Sequence, residues 1–117
     1  MDDPRLRAER NVWLATARSN GQPHLVPVWF VWLRQRVYIC TSSRSVKARN
    51  LAANPSAAIA LEDGDRPLIV EGRAVILRPP YPSDVVSAFK QKYGWDISSD
   101  ATYDALIEFA PAKWLRW

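Results

Sequence analysis

The sequence predicts a mainly β protein, a small antiparallel β-barrel with short helices. Three observations carry that prediction. Six runs rich in valine, isoleucine and aromatic residues recur along the chain, each closed by a turn signal. Only two stretches carry a helical pattern, and both are short. The 117 residues, 48% hydrophobic with both charge signs interspersed, fit one folded domain over 1–117, without linker, repeat or low-complexity tract.

The elements follow in order. Residues 12–18 form a first strand, and Ser19-Asn20-Gly21-Gln22 turns the chain, Asn-Gly being a strong hairpin signal. Residues 23–33 form a long second strand whose nearly continuous apolar residues predict cover on both faces. Arg34-Gln35-Arg36 leads into a third strand at 37–41. A short helix then covers 46–53, capped by Ser45 and stopped by Asn54-Pro55. A fourth strand spans 57–62, and Asp63-Gly64-Asp65-Arg66 turns into a fifth at 67–77. Gly72 inside that strand marks a bulge or a close backbone approach. Pro79, Pro80 and Pro82 end the sheet. Ser83 caps a helix over 84–93, with Val85, Phe89 and Tyr93 on one stripe and Gly94 as its stop. Residues 95–102 are a loop, 103–110 a sixth strand, and the tail through Trp114 and Trp117 packs or pairs against the body.

Composition removes several function classes. With one histidine (His24) and one cysteine (Cys40), the chain cannot assemble a zinc site of Cys and His ligands, and no nucleophile-elbow sequence accompanies His24. Four glycines leave no Gly-rich phosphate loop. Glu62, Asp63 and Asp65 read as a solvated turn, and Glu71 with Arg73 as a structural pair on one strand face. Cys40 lies in an apolar run, which predicts a buried, inert thiol in a reducing compartment. No signal peptide is read, and no apolar run approaches the ~20 residues of a membrane span. A cytoplasmic protein without a membrane partner is expected. The net charge of +4 is small for a nucleic-acid binder. Six tryptophans point to a dimer interface, a ligand pocket, or both.

Residues 41–55 carry the chemistry. Hydroxyls of Thr41, Ser42, Ser43 and Ser45 crowd together with Arg44, Lys47 and Arg49 where a strand gives way to a helix. With Ser45 as N-cap, Lys47 falls in the first turn, at the positive end of the helix dipole. A cation fits there when an anion fills the gap, and phosphate is the commonest such anion. The other reading is a solvated loop with ordinary charges. The chain thus lacks the side chains of hydrolytic chemistry but offers a phosphate-like cradle beside aromatic surface. That combination suits a reactive group borrowed from a phosphorylated aromatic cofactor.

Three segments in order then give a resemblance: Trp13-Leu14-Ala15-Thr16 with Asn20-Gly21-Gln22-Pro23-His24, Pro27-Val28-Trp29-Phe30, and Thr41 through Pro55. Followed by Val70-Glu71-Gly72-Arg73-Ala74, they make the chain similar to the pyridoxamine 5′-phosphate oxidase-like split-barrel family, nearest its small members that bind FMN or the deazaflavin F420. The resemblance covers about residues 11–78. It implies a six-stranded antiparallel split barrel that dimerises, with two cofactors at the subunit interface. It implies further that Pro27, Val28 and Trp29 run along the flavin ring. Thr41 and Ser42 would lie beside the ribityl chain or phosphate. Lys47 and Ser45 would meet the phosphate, with Arg49 and Asn50 near it. The extra basic segments of true pyridoxamine phosphate oxidases are missing, so oxidation of that substrate is not expected.

The resulting expectation is a homodimeric FMN-dependent oxidoreductase, with F420 as the alternative cofactor, passing a hydride to or from a small molecule. No residue is assigned a catalytic role. His24 reads as a hairpin-rim residue, Trp29 equally as ring-stacking or core, and Trp32, Trp114 and Trp117 as packing or dimer contacts. Two other classes remain: a barrel that stacks single-stranded nucleic acid on its tryptophans, and a cofactor-free dimeric scaffold.

Overall fold

A computed structural model describes residues 3–115. Seven strands and three α-helices follow one another: α1 (Arg5–Ala8), β1 (Asn11–Ala17), β2 (Pro23–Trp29), β3 (Val31–Leu33), β4 (Arg36–Thr41), α2 (Val46–Ala53), β5 (Ser56–Ala60), β6 (Ile69–Leu77), α3 (Ser83–Tyr93) and β7 (Ala105–Leu115), with a 3₁₀ turn at Ile97–Ser99. All strand pairs are antiparallel, in the order β2-β1-β5-β6-β7-β4-β3.

That order defines the fold. The two edge strands, β2 and β3, are consecutive in sequence and joined only through Phe30. One residue can bridge the two edges of a seven-stranded sheet only if the sheet curls back on itself. The result is a barrel split along the β2/β3 seam.

The long second strand expected at 23–33 is therefore two strands, and the count is seven, not six. The break has a local cause. Phe30 N–H donates to the Tyr93 hydroxyl at 2.9 Å, and the Lys92 ammonium donates to the Phe30 carbonyl at 3.0 Å. The Tyr93 hydroxyl lies within donating distance of the Phe30 and Arg10 carbonyls, 2.8 and 2.6 Å away. Helix α3 thus satisfies the backbone that a sheet neighbour would otherwise take. Two-sided cover, expected for 23–33, holds at Phe30–Trp32 but not along β2, and it extends over β4. Val37 and Ile39 face the barrel interior with Leu14, Val70, Ile107 and Phe109, while Tyr38 and Cys40 face α3 with Val85, Phe89 and Leu106. Strand β2 is an edge with Leu25 and Trp29 exposed by 60% and 45%.

Other boundaries shift for physical reasons. Helix α2 spans the predicted 46–53, with the Ser45 hydroxyl accepting from Ala48 N–H at 3.2 Å. Ser83 is the first residue of α3 and caps nothing; Pro82 holds the N-cap position without a side-chain bond, while Gly94 ends the helix at φ +67°. Arg34 and Gln35, at φ 55° and 61°, make the tight two-residue turn between β3 and β4. Strand β7 runs on through the presumed tail to Leu115, because Pro111 sits opposite Gly72, at the shift in the β6 register, where its missing N–H costs no ladder bond. Trp114 packs on Trp32, with centroids 6.0 Å apart; Trp117 lies outside the described residues. No ion pair joins Glu71 to Arg73 among the described residues. No described helix is long and apolar enough to cross a membrane.

Candidate functional site

A cleft of about 500 Å³ opens where β2, the end of β4, the start of α2 and the segment after α3 meet. Its walls are Pro27, Val28, Trp29, Cys40, Thr41, Lys47, Trp95, Asp100 and Tyr103. The volume falls in the range usual for small-molecule sites.

One end is polar and built by α2. Thr41 is buried, and its hydroxyl donates to the Ser45 hydroxyl at 3.2 Å. Arg44 N–H donates to the Ser42 hydroxyl at 3.1 Å, which tightens the turn into the helix. Ser43 is pinned from the residue before β7: its N–H and hydroxyl both donate to Asp104, at 2.8 and 3.0 Å. Lys47 stands half-buried in the first turn of α2, and burial pulls its ammonium below the ordinary lysine value. No carboxylate pairs with it among the described residues. Lys47 is thus a desolvated cation in the first turn of a helix, at the positive end of its dipole.

The other end is aromatic. Trp29 stacks on Tyr93 at 4.4 Å and 6°, with the Arg10 guanidinium 4.9 Å from its ring centre. Trp95 meets Trp29 and Tyr103 edge-on, and its indole N–H donates to Asp100 at 3.0 Å. N–H donation from Tyr103, then from Trp95 and Thr102, holds the Asp100 carboxyl below the usual carboxylate range against the opposing effect of burial. Burial, reinforced by Asp100 and Asp104, pushes the Cys40 thiol up to about 12, so this sulfur is no thiolate nucleophile.

Of the residues expected in the site, the fold brings Pro27, Val28, Trp29, Thr41 and Lys47 to line the cleft; Ser45 bonds Thr41, and Ser42 follows Thr41 in the chain. Arg49 and Asn50 go elsewhere. They lie by a separate hollow with Arg18 and Asn20, and the buried Asn50 amide donates to the Thr16 hydroxyl at 3.0 Å. The helical period turns Arg49, two residues after Lys47, away from its face, while Asn50, three residues on, is held toward β1 by its Thr16 bond. His24 sits on β2 opposite Thr16 and does not line the cleft. Sequence reasoning missed Trp95 and Asp100, in the segment read as a plain loop, and Tyr103, read as the first residue of the sixth strand, which begins at Ala105. The signal was an aromatic–acid–aromatic spacing just after the Gly94 stop.

The class the fold defines is the split antiparallel barrel, here with a cleft between the polar start of α2 and an aromatic wall. The chain belongs to the pyridoxamine 5′-phosphate oxidase family, whose sequence model matches residues 3–117. Similar solved structures include the heme storage protein HutZ from Vibrio cholerae, 22% identical with a TM-score of 0.81 over 95% of this chain and 89% of that one. An F420 reductase is 23% identical, with a TM-score of 0.78 over 100% and 98% of the two chains. A conserved hypothetical protein from Mycobacterium tuberculosis is 27% identical, with a TM-score of 0.77 over 94% and 78%. No curated protein matches the sequence significantly.

Proposed function

We propose that the cleft binds FMN, with F420 as the alternative, and that the protein is an oxidoreductase acting on a small molecule. The observation that carries this reading is Lys47: an unpaired, half-buried cation at a helix N-terminus, opening on an aromatic cleft. The cofactor, when bound, supplies the hydride chemistry. Lys47, with the Ser45 and Ser42 hydroxyls, receives the phosphate. Thr41 lines the path from phosphate to ring, and Pro27, Val28 and Trp29 form the wall beside the ring. Trp95 and Tyr103 keep water from the reacting face. Asn50, buried against Thr16, supports α2 from behind, and Arg49 adds only distant positive charge. The reading includes a homodimer, supported by the open edge β2 with its exposed Leu25 and Trp29. Sedimentation showing only a 13.3 kDa species at micromolar concentration would remove that part.

The test is an absorbance and fluorescence titration with FMN, F420, riboflavin and hemin. FMN or F420 binds the wild type. Lys47→Ala weakens that binding about ten- to a hundredfold, the loss of a charge-assisted contact of about 1.5–3 kcal/mol. Riboflavin, without a phosphate, is little affected. Equal FMN and F420 affinity in wild type and variant, or a hemin Soret band with no flavin or deazaflavin uptake, refutes the reading.

A further inference from the structure

We propose that the Trp29–Trp95–Tyr103 end of the cleft recognises an organic cation, with Asp100 as its counter-charge. The inference rests on the reading above, in which the Lys47 end holds the cofactor phosphate and leaves this end to the second reactant. The ring geometry comes first. Trp95 stands at 72° to Trp29 with centroids 6.2 Å apart, and at 82° to Tyr103 with centroids 5.5 Å apart. The three rings meet edge to face and together line one end of the cleft. A cation within about 6 Å of an aromatic face is attracted by the ring quadrupole. Arg10 already uses the Trp29 and Tyr93 rings in this way, 4.9 and 5.2 Å from their centres.

Charge comes second. Asp100 lines the cleft, and no lysine or arginine pairs with it among the described residues. One carboxylate oxygen accepts from Thr102 and Tyr103 N–H, at 3.0 and 2.9 Å, and the other accepts only from the Trp95 indole. That second oxygen keeps a lone pair for an incoming donor. The cleft thus holds two opposite charges, Lys47 and Asp100, that do not pair with each other. An anionic reactant beside Asp100 would be repelled, while an ammonium, quaternary or primary, meets both the carboxylate and the ring faces. The preferred reactant is therefore a small molecule bearing a cationic nitrogen.

Three probes of similar size separate the alternatives: benzyltrimethylammonium, benzyl alcohol and benzoate, titrated calorimetrically into the full chain with and without saturating FMN. The cation should bind at least tenfold more tightly than the other two. Asp100→Asn, whose amide oxygen can still accept the Thr102 and Tyr103 N–H groups while its NH2 gives up the Trp95 indole bond, should erase most of that preference. Tyr103→Leu, at an exposed ring that can be replaced without opening the core, should weaken the cation about two- to fivefold and leave benzyl alcohol unchanged. Lys47→Ala should leave cation binding intact while weakening FMN, so the two readings fail separately. The inference is overturned if the cation fails to bind, if benzyl alcohol or benzoate binds as tightly, or if neither Asp100→Asn nor Tyr103→Leu lowers the preference. FMN binding through Lys47 would then still stand.

Discussion

Ser45 holds two roles that one pair of substitutions can separate. Its hydroxyl caps α2 by accepting from Ala48 N–H at 3.2 Å, and it receives the Thr41 hydroxyl at the same distance. Removing an N-cap oxygen costs about 1 kcal/mol. For a domain of this size that is a fall of about 4 °C in Tm. Ser45→Ala should show that fall, together with a two- to tenfold loss in FMN affinity for one missing hydrogen bond of about 0.5–1.5 kcal/mol. Ser45→Asp is the sharper variant. Aspartate caps a helix as well as serine does and suits the dipole, so Tm should return to within about 1 °C of wild type. Its carboxylate would stand beside the proposed phosphate position. Two like charges about 4 Å apart repel by about 4 kcal/mol at an effective dielectric near 20. Salt and the neighbouring Lys47 would cut this to roughly half, about a 30-fold loss in affinity. The assays are thermal unfolding by circular dichroism and flavin titration on the same preparations. If Ser45→Asp regains stability and also binds FMN like wild type, the start of α2 is not the anion site.

Gly72→Ala should be strongly destabilising, because a Cβ there would overlap the Ala110 carbonyl oxygen and come within 2.8 Å of Phe109 Cζ. Backbone oxygen cannot swing aside, so the upper end of the usual overpacking cost, about 3 kcal/mol, and a Tm loss of about 12 °C are expected by calorimetry. Gly64→Ala, with nothing within 4 Å of its added methyl and no left-handed φ, should raise Tm by about 2–4 °C. Lys92 predicts a pH dependence. Burial first, then Arg10, pulls its ammonium down to about 8, below the ordinary 10.5. The unfolded chain holds this proton more tightly, so the Lys92 contribution to stability rises with pH between about 8 and about 10.5. The Cys40 thiol, pushed up to about 12, acts in the opposite sense above its ordinary 9, so the comparison has to be differential. Wild type should gain on Lys92→Met as pH rises from 8 to 10, and parallel Tm curves would contradict the assignment.

Elements whose signals are local were legible in the sequence. Helix α2 is bounded by its own cap, Ser45, and its own stop, Asn54-Pro55, and it spans the residues expected. The bulge at Gly72 was marked by the glycine itself. What escaped depends on partners far along the chain. Nothing near Phe30 announces a break, because the groups that end β2 there, Lys92 and Tyr93, lie 62 and 63 residues downstream. Helix α1 is four residues long, too short for a periodic pattern, and is pinned by the single buried Leu6. The run of β7 past Pro111 reads as a stop until Gly72 is seen opposite it.

The candidate site divides along the same line. Its polar end lies within seven residues of sequence, Thr41 to Lys47, and strand-to-helix chemistry names those residues directly. Its aromatic end is assembled by topology. Strand β7 pairs with β4 so that Ala105 lies opposite Thr41, and this brings Tyr103 and Asp104 to the loop between β4 and α2. Asp104 then fastens the two ends together through the Ser43 N–H and hydroxyl, with its carboxyl held below the usual range chiefly by those two bonds. The Ser43–Asp104 clamp joins the segment proposed to choose the reactant to the loop proposed to hold the cofactor. One side-chain contact therefore fixes the position of both relative to the cleft. Preorganisation of this kind brings two bound molecules together without either having to order the loops first. It also explains why the aromatic wall could not be read from residues 95–103 alone: those residues acquire a role only when β7 carries them to the end of β4.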